Sequence, residues 1–394
     1  MAKENNNTAL KATPIGMIPK DWTVARIDSI LKIKYGKDQK SIATENGKYP
    51  ILGTGGEMGR TDSFLYDKPS VLIGRKGTID KPRYMDAPFW TVDTLFYTEI
   101  DTKKIFPKWL YYRFTAINWK FYNEASGVPS LSAATISAIQ IPIPPIPQQT
   151  KIAQLLSTWD ESIETLETLI KRKERNKKAL MQQLLTGKKR FKEFKSEKWK
   201  SILIKDLGKV VSGGTPDTNK EEFFNGKILW CTPTEITKLK GKKYINETER
   251  TITELGLKNS SANILPPKSL IVCTRATVGD CAINSVEMST NQGFKSIIPN
   301  EKIEIEFLYY SFLPMKNILL RLANGSTFLE VSKTDFENIA LKIPVSIKEQ
   351  QKIASVISAA DEEIQSLKTQ LEHCKQQKKG LMQVLLTGKK RIKN

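Results

Sequence analysis

The sequence contains two closely similar segments that lie 201 residues apart. Residues 148–191 and 349–392 align without a gap, and 22 of the 44 aligned positions are identical. Both segments close on the same run, Leu-Leu-Thr-Gly-Lys-Lys-Arg, at residues 184–190 and 385–391. Similarity of this length indicates a duplicated unit of about 200 residues. We therefore expect the chain to contain two copies of the same structural unit.

Each repeat has the apolar periodicity of one long helix. Apolar residues recur at alternating steps of four and three, which is the heptad spacing of paired helices. Both copies interrupt this apolar seam at the same place, with Lys173 and Lys177 in the first and Cys374 and Lys378 in the second. About 40 helical residues make a rod of about 60 Å. We predict that the two rods pair within the chain as a coiled coil; the alternative, with each helix lying on a different domain, stays open.

A globular α+β segment precedes each helix. Short β-rich runs alternate with Gly and Pro clusters, which predicts strands at 70–74, 90–97, 269–274 and 293–298 and helical stretches at 106–122 and 305–322. The Pro-rich run 141–147 is interpreted as a stiff hinge. The predicted domains are an N-terminal segment 1–20, globular domains 21–146 and 192–344, a central helix 147–191 and a C-terminal helix 345–394.

The two globular segments resemble each other only weakly. Residues 72–80 correspond in sequence to residues 272–280, which places Arg75 opposite Arg275. Between the two copies of the repeat, the helices are similar in sequence and the globular parts differ. We expect two domains that share a frame and recognise different things.

Composition excludes several classes of chemistry. The chain has one histidine, His373, and its four cysteines form no C-x-x-C pair, so His-based triads and zinc ribbons lack the necessary residues. The run from Gly53 to Gly59 fails both the dinucleotide and the phosphate-loop patterns and is interpreted as a turn between strands. No metal site or catalytic constellation is predicted. A polar N-terminus and the lack of an apolar run of about 18 residues predict no membrane association and a cytoplasmic location.

The net charge of +20 indicates a polyanionic partner, most simply nucleic acid. The stretch from Lys171 to Lys198 contains twelve Lys and Arg residues and three acidic residues. The stretch from Lys375 to Asn394 contains seven Lys and Arg residues and no acidic residue. Both rods therefore end in positive charge. A solvated helix face and contacts to phosphate or to an acidic protein are the two open interpretations.

Polar and basic residues on Gly-rich turns are the candidates for contacting bases. Arginine suits guanine, and Asn and Gln suit adenine, in the major groove. The DNA-binding candidates are Arg60, Arg75, Lys76, Arg83, Thr274, Arg275, Asn291, Gln292 and Lys295.

The arrangement of two variable domains and two similar helices resembles the specificity (S) subunit of type I restriction-modification enzymes. The lead-in at residues 15–22 and the Ile-Pro runs before each helix add to the likeness, which covers essentially the whole chain. The resemblance implies two target-recognition domains held apart in a pseudo-twofold relation by an antiparallel coiled coil, each reading one half of a split DNA site.

The same resemblance implies partners that carry the chemistry. Two modification (M) subunits would bind S-adenosylmethionine and methylate adenine, and restriction (R) subunits would use ATP and Mg²⁺; no cofactor is expected in this chain. Family precedent makes the helices a docking surface for M subunits, with candidate residues Leu180, Met181, Leu184, Leu185, Leu381, Met382, Leu385 and Leu386. The sequence therefore predicts a non-catalytic subunit that recognises double-stranded DNA. A helical scaffold with non-specific basic contacts is the alternative.

Overall fold

The computed structural model describes residues 9–323 and 330–392. The chain forms two compact units, one made of Met1–Thr168 with Lys368–Asn394 and one made of Leu169–Leu367. Both divisions fall inside the duplicated helices. Each unit therefore holds a globular module, the first half of one long helix and the second half of the other. The Asn-rich start and the last residues of the predicted C-terminal segment, 393 and 394, lie outside the described residues.

From residue 9 onward, where the structure describes it, the first module contains twelve strands and two short α-helices. Its strands are β1 (Leu10–Thr13), β2 (Gly16–Pro19), β3 (Thr23–Arg26), β4 (Leu31–Lys34), β5 (Ala43–Thr44), β6 (Tyr49–Gly53), β7 (Gly56–Thr61), β8 (Ser70–Gly74), β9 (Arg83–Met85), β10 (Trp90–Thr91), β11 (Leu95–Ile100) and β12 (Gln140–Ile143). Its helices are α1 (Pro107–Thr115) and α2 (Ala133–Ala138), and the long helix α3 (Ile146–Leu184) follows. The predicted strand at 70–74 is confirmed, whereas the run 90–97 divides between β10 and β11.

The second module repeats this plan with additional helices. Its helices are α4 (Ile204–Leu207), α5 (Pro233–Lys238), α6 (Glu254–Lys258), α7 (Ile305–Phe312), α8 (Lys316–Leu322) and α9 (Lys333–Glu337), and the long helix α10 (Ile347–Leu385) follows. Its strands are β13 (Trp199–Leu203), β14 (Gly208–Ser212), β15 (Phe224–Cys231), β16 (Tyr244–Ile245), β17 (Thr251–Ile252), β18 (Leu270–Cys273), β19 (Cys281–Asn284), β20 (Ser289–Thr290), β21 (Phe294–Pro299) and β22 (Ala340–Pro344). The predicted helix at 305–322 is broken at Pro314, which lacks a backbone donor.

The sheets of the two modules have the same strand order. The main sheet is β4-β11-β8-β9 in the first module and β14-β21-β18-β19 in the second, where β16 adds an edge. A second sheet contains β10-β6-β7-β5 in the first module and β20-β15-β17 in the second. Most pairs are antiparallel, but β6 with β10, β15 with β20 and β16 with β19 are parallel. The pairs β6 with β10 and β15 with β20 belong to the second sheet of each module, and the two strands of each pair end at the same edge of that sheet.

A two-stranded neck closes each module. β3 pairs with β12 in the first module and β13 pairs with β22 in the second, both antiparallel. The neck includes Ile141, which is fully buried, and Ile143, which is nearly so. The prediction of a Pro-rich hinge at 141–147 is therefore wrong. Pro142 is tolerated because a two-stranded ribbon consists of edge strands, which leave one side unpaired.

The long helices use the predicted seam as their covered face. All twenty seam positions, from Ile152 to Leu184 in α3 and from Ile353 to Leu385 in α10, are buried or half-buried. In each unit the seam joins the core of the globular module. The seam therefore faces protein in both units.

Both long helices end on the same joint. Gly187 and Gly388 have φ angles of 71° and 72°, and each lies against a tryptophan ring, Trp199 for Gly187 and Trp22 for Gly388. The left-handed conformation is easily reached by glycine, which ends helices for that reason. The following arginine of each repeat then forms an ion pair within its unit.

The ion pairs at the two joints differ in burial. Arg190 donates two hydrogen bonds, of 2.8 and 2.6 Å, to the carboxylate of Glu349, which is fully buried. The first unit has Gln148 at the position equivalent to Glu349, and Arg391 pairs there with the more exposed Asp21 at 2.6 and 2.8 Å. The repeat is therefore duplicated in geometry and asymmetric in electrostatics.

Candidate nucleic-acid interface

A cleft of about 470 Å³ lies in the second module where β15 and β20 end. The two strands pair in parallel through Trp230 with Ser289 and Cys231 with Thr290, so the segments that follow them emerge side by side. Residues 232–235 and 291–293 line the cleft together with Arg250 and Arg275. Three of the predicted DNA-binding residues, Arg275, Asn291 and Gln292, meet in this cleft.

The first module has a cleft of about 500 Å³ at the same place. β6 and β10 pair in parallel through Ile51 with Trp90 and Leu52 with Thr91. The Gly-rich run that follows β6 lines the cleft together with residues 92–94. The prediction that this run is a turn between strands is confirmed, because Gly53 at the end of β6 pairs with Gly56 at the start of β7.

A basic turn after the central strand of the main sheet is common to both modules. Gly74 pairs with Leu95 in the first module, and Cys273 pairs with Phe294 in the second. Two residues further on, Lys76 forms a backbone bridge with Ser130, and Arg275 forms the same bridge with Glu330. Lys76 and Arg275 are therefore equivalent. The sequence alignment, which placed Arg75 opposite Arg275, is wrong by one residue.

The residue after each of these two equivalent basic residues has a left-handed backbone conformation. Gly77 has a φ angle of 87° and Ala276 has one of 62°. Alanine in this region is strained by about 1–2 kcal/mol relative to glycine, because its Cβ crowds the following carbonyl group. Such strain concentrates at functional sites. The turn that presents Arg275 is held in a conformation that its sequence alone does not favour.

The candidates of the first module divide into structural and exposed side chains. Arg60 donates to the carbonyl oxygens of Gly47 and Lys48 at 2.7 and 2.8 Å, and Arg83 donates to those of Gly53 and Thr54 at 3.2 and 2.7 Å. These two arginines hold loops in place, and Arg83 fixes the Gly-rich wall of the cleft.

Arg75 and Lys76 lie beside the first cleft. The Arg75 guanidinium lies 5.5 Å from the centroid of the half-exposed Tyr35 ring and contacts Asp93, which lines the cleft. Lys76 is exposed. Their backbone amides both donate to the carbonyl of Thr94, at 2.8 and 3.2 Å, which fixes the turn against the cleft wall.

Two candidates of the second module are not surface residues. Thr274 is fully buried and its hydroxyl donates to the carbonyl of Gly293 at 3.3 Å. Lys295 is 6% exposed and pairs with Glu330 at 2.9 Å. The expectation that these two side chains reach a base needs correction. Thr274 fixes the turn that carries Arg275, and Lys295 neutralises Glu330, whose backbone is bridged to Arg275.

Asn291 and Gln292 are held by short-range contacts at the mouth of the cleft. The Asn291 carboxamide oxygen accepts from the amide of Gly293 at 2.9 Å, which leaves its NH₂ group turned away from that bond. Gln292 is exposed and its carboxamide oxygen accepts from the Thr215 hydroxyl. Both side chains are positioned before any ligand arrives.

Sequence reasoning missed Arg250. Its guanidinium lies 4.8 Å from the Trp230 ring centroid and 5.4 Å from that of Phe224, and it lines the same cleft as Arg275. Strand pairing brings it there, since the amide of Trp230 donates to the carbonyl of Arg250. No local motif marks this residue, because its position depends on contacts 20 residues away in sequence.

The profile of one protein family matches most of the chain. The family, described as type I restriction modification DNA specificity domain, matches residues 19–175 and again residues 196–376. The chain belongs to this family. The two matches cover the two modules with most of the helix that follows each. As a family member, the chain is a specificity subunit and not an enzyme.

Named relatives of this specificity chain agree with the family match. The putative type I restriction enzyme MjaX specificity subunit of Methanocaldococcus jannaschii is 26% identical over 99% of the chain and 98% of its own length. The MjaIX specificity subunit of the same organism is 38% identical over 44% of the chain and 40% of its own length. The EcoR124I/EcoR124II specificity subunit of Escherichia coli is 28% identical over 67% and 65% of the two chains.

Solved structures share the fold of the specificity chain. The S subunit of a type I restriction-modification system from M. genitalium superposes with a TM-score of 0.64 at 19% identity, covering 98% of both chains. A chain solved in work on assembly and conformational transition of the type I R-M system gives 0.59 at 13% identity, covering 94% of this chain and 99% of that one. The α+β, two-module architecture is therefore that of S subunits.

The predicted partner-docking residues mostly belong to the core of the specificity chain. Leu184, Leu385 and Leu386 are buried, and the others, Leu180, Met181, Leu185, Leu381 and Met382, are partly buried against the same clusters. The helix ends are therefore first of all the place where each long helix inserts into a module. A partner could reach only the half-buried members.

The basic clusters at the helix ends are partly neutralised. Within Lys171–Lys198, Lys173, Lys177 and Arg190 form ion pairs, and the other nine Lys and Arg residues are exposed. In the second cluster, the equivalents Lys378 and Arg391 also form ion pairs. Within the described ranges, 9–323 and 330–392, no group of acidic, His and Cys residues could hold a metal ion, and no helix is long and apolar enough to cross a membrane.

Proposed function

We propose that this chain is the DNA sequence-recognition subunit of a type I restriction-modification complex, in which each module reads one half of a bipartite site. One observation carries the proposal: the same cleft and the same basic turn occur in both modules with different side chains. Lys76 in the first module and Arg275 in the second occupy equivalent positions. Such an arrangement fits two recognition domains that share a fold and differ in sequence specificity.

The second module has the groups for a purine-rich half-site. Arginine donates two hydrogen bonds to O6 and N7 of guanine, and Asn or Gln makes the matching pair with adenine. Arg275, Asn291 and Gln292 line one cleft, so adjacent base pairs of one major groove would meet them together. Arg250, stacked on Trp230, supplies a further cation for phosphate or base.

The first module combines donors with an acceptor. Lys76 takes the place of Arg275 and would donate to guanine or to phosphate as a single point charge. Asp93 has a 71% exposed side chain and would accept from the amino group of cytosine. This half-site would therefore differ in sequence from the other.

The helices would carry the remaining functions. We propose that α3 and α10 form the antiparallel, pseudo-twofold coiled coil of the family and hold the two half-sites at a fixed spacing. Two M subunits would dock on the solvent faces and on half-buried residues such as Met181 and Met382. The M and R subunits would bring S-adenosylmethionine, ATP and Mg²⁺. The exposed lysines at the helix ends would contact phosphate or these partners.

Competition binding tests the proposal. The chain assembled with its M subunit is bound to a labelled genomic fragment that it methylates and is challenged with random duplexes at several salt concentrations. We expect one bipartite sequence to be preferred by several kcal/mol at every salt concentration, and all affinities to fall together as salt rises. Equal affinity for all sequences would favour a scaffold with non-specific basic contacts and would overturn the proposal.

A further inference from the structure

A partly buried polar cluster fastens each module to both long helices. In the first unit the Tyr112 hydroxyl donates to Asp160 at 2.5 Å and lies 3.0 Å from the Ser157 hydroxyl. Lys378 completes the cluster through an ion pair with Asp160, and its ammonium lies 5.2 Å from the Tyr112 ring centroid. Tyr112 belongs to the module, Asp160 to α3 and Lys378 to α10.

The second unit repeats the cluster with the helices exchanged. The Tyr310 hydroxyl donates to Asp361 at 2.8 Å and lies 3.0 Å from the hydroxyl of Ser358. Lys177 pairs with Asp361, and its ammonium lies 5.8 Å from the Tyr310 ring centroid. Here the acid comes from α10 and the lysine from α3. The two clusters therefore share a core of tyrosine, serine, aspartate and lysine, and the second also includes Lys243, which donates to Ser358 at 2.8 Å and pairs with Glu306.

The lysines of these clusters are among the residues that interrupt the apolar seam. Lys177 and Lys378 occupy seam positions, and their side chains are only 20% and 15% exposed. An apolar residue at such a position would serve stability at least as well, since a buried ion pair gains little over well-packed hydrophobic atoms. The best-attested use of a polar group in a helical seam is to specify register.

The apolar contacts around the clusters define position less sharply. The seam repeats every seven residues, and the surrounding Leu and Ile side chains can slide and repack at small cost. Each lysine pairs with an aspartate of the other long helix beside a tyrosine ring of the module, so the contact joins three elements at one position. The clusters therefore fix the position of the first module along α10 and of the second module along α3.

We propose that Lys177 and Lys378 are positioning residues that set the permitted distance between the two half-sites. This inference rests on the proposed function, because it concerns the spacing of sites that the modules read. The lysines do not contact DNA in this account. They act by holding each module, and with it the cleft, at one place on the helices.

Methylome sequencing of a host that expresses the full chain with its M subunit tests the inference. The variants are Lys177→Met and Lys378→Met, because methionine keeps an unbranched stem over the tyrosine ring and removes the charge. Lys178→Met and Lys379→Met are matched controls, since both lysines are exposed and occupy equivalent neighbouring positions. Thermal unfolding of each purified complex is recorded in parallel.

We expect the test variants to read the same bases and to accept altered spacers. Methylation at sites whose spacer is one base pair longer or shorter should rise about fivefold relative to the wild-type chain, the factor expected for losing one such interaction. The controls should keep a single spacer. A uniform loss of methylation at all spacers, or an unchanged spacer profile, would overturn the inference.

A charge exchange covers the case in which a single variant does not assemble. Asp160→Lys combined with Lys378→Asp should recover the wild-type spacer that each single change disturbs, and failure of the pair to recover it overturns the inference. The proposed function fails separately, in the wild-type sample: if the wild-type complex methylates no bipartite motif, the proposed function is wrong whatever the variants do.

Discussion

Lys76 and Arg275 occupy the same position of the same turn in two modules whose sequences are barely alike. Each forms a backbone bridge with the strand opposite, and each is followed by a residue with a positive φ angle. The carbonyl group of the preceding residue also accepts a backbone hydrogen bond in both modules. The Arg75 carbonyl accepts from the amide of Leu131 at 2.9 Å, and the Thr274 carbonyl accepts from the amide of Val331 at 3.1 Å. The backbone around Lys76 and Arg275 is therefore the same, while the side chain differs.

Removing the basic side chain of either Lys76 or Arg275 should affect one half-site only. Arg275→Ala should reduce discrimination at one base pair of the second module's half-site by about 1–3 kcal/mol, the usual value of a two-pronged contact. Lys76→Ala should do the same, more weakly, for the other half. Competition with duplexes that carry single base changes measures both. Lys258→Ala, an exposed lysine of the second module, is the control and should leave base preference unchanged.

Exchanging the residues with positive φ angles should move stability in opposite directions. Gly77→Ala should destabilise the chain by about 1 kcal/mol, because alanine is strained there while its Cβ would meet only the Thr54 hydroxyl at 3.6 Å. Ala276→Gly should stabilise by about 0.5–1 kcal/mol through relief of the same strain, reduced by the greater freedom of unfolded glycine. Urea unfolding followed by circular dichroism measures both, and equal signs would show that the two turns are not equivalent.

The two arginines at the helix ends should differ in energetic importance. Arg190→Met leaves the buried Glu349 carboxylate without its cation and should cost about 3 kcal/mol. Arg391→Met breaks a pair with 31% and 41% exposed side chains and should cost about 0–1 kcal/mol. Adding Glu349→Gln to Arg190→Met should recover most of the loss, because glutamine already stands at the equivalent Gln148. Equal losses for the two arginine variants would contradict the difference in burial.

Acid should weaken the second module through Glu306. Burial opposes ionisation of this carboxyl, but hydrogen bonds from Lys243, Tyr244 and Ser358 outweigh it and hold its pKa below the usual 4.5. Because the pKa is lowered by folding, the stabilisation is complete above about pH 4.5 and is lost as the pH falls through the folded-state value. Urea titrations between neutral pH and pH 3 should show this loss, and Glu306→Gln should reduce its steepness. An identical pH profile for the variant would exclude Glu306 as a source.

The duplication, the seam and the strand Ser70–Gly74 follow from sequence, because they rest on the similarity of two segments, on helical periodicity and on a short β-rich run. The exact match of Lys76 with Arg275 does not, because strand register is set by partners far away in the chain. The role of Ile141 in a paired neck was missed for the same reason: proline marks a hinge locally, and only β3 shows that the segment is a strand.

The candidate site shows the same division. Sequence named Arg275, Asn291 and Gln292 as separate candidates for contacting bases, and the structure shows that they share a cleft. It could not show that Thr274 and Lys295 are buried, because a polar residue in a short segment carries no apolar pattern that reveals its burial. Leucines at the helix ends look equally suited to a partner and to the chain's own module, and most of them pack into the module.

Exchange of one module tests the central claim most directly. Residues 27–139 form a natural unit, because the amide of Ile27 donates to the carbonyl of Ile139 at 3.0 Å and the neck strands lie just outside. This segment is replaced by the equivalent segment of a relative, and the methylome of a host carrying the exchanged chain with its M subunit is sequenced. The account predicts that one half of the methylated bipartite site changes while the other half and the spacer stay the same. A change in both halves, or in neither, would contradict it.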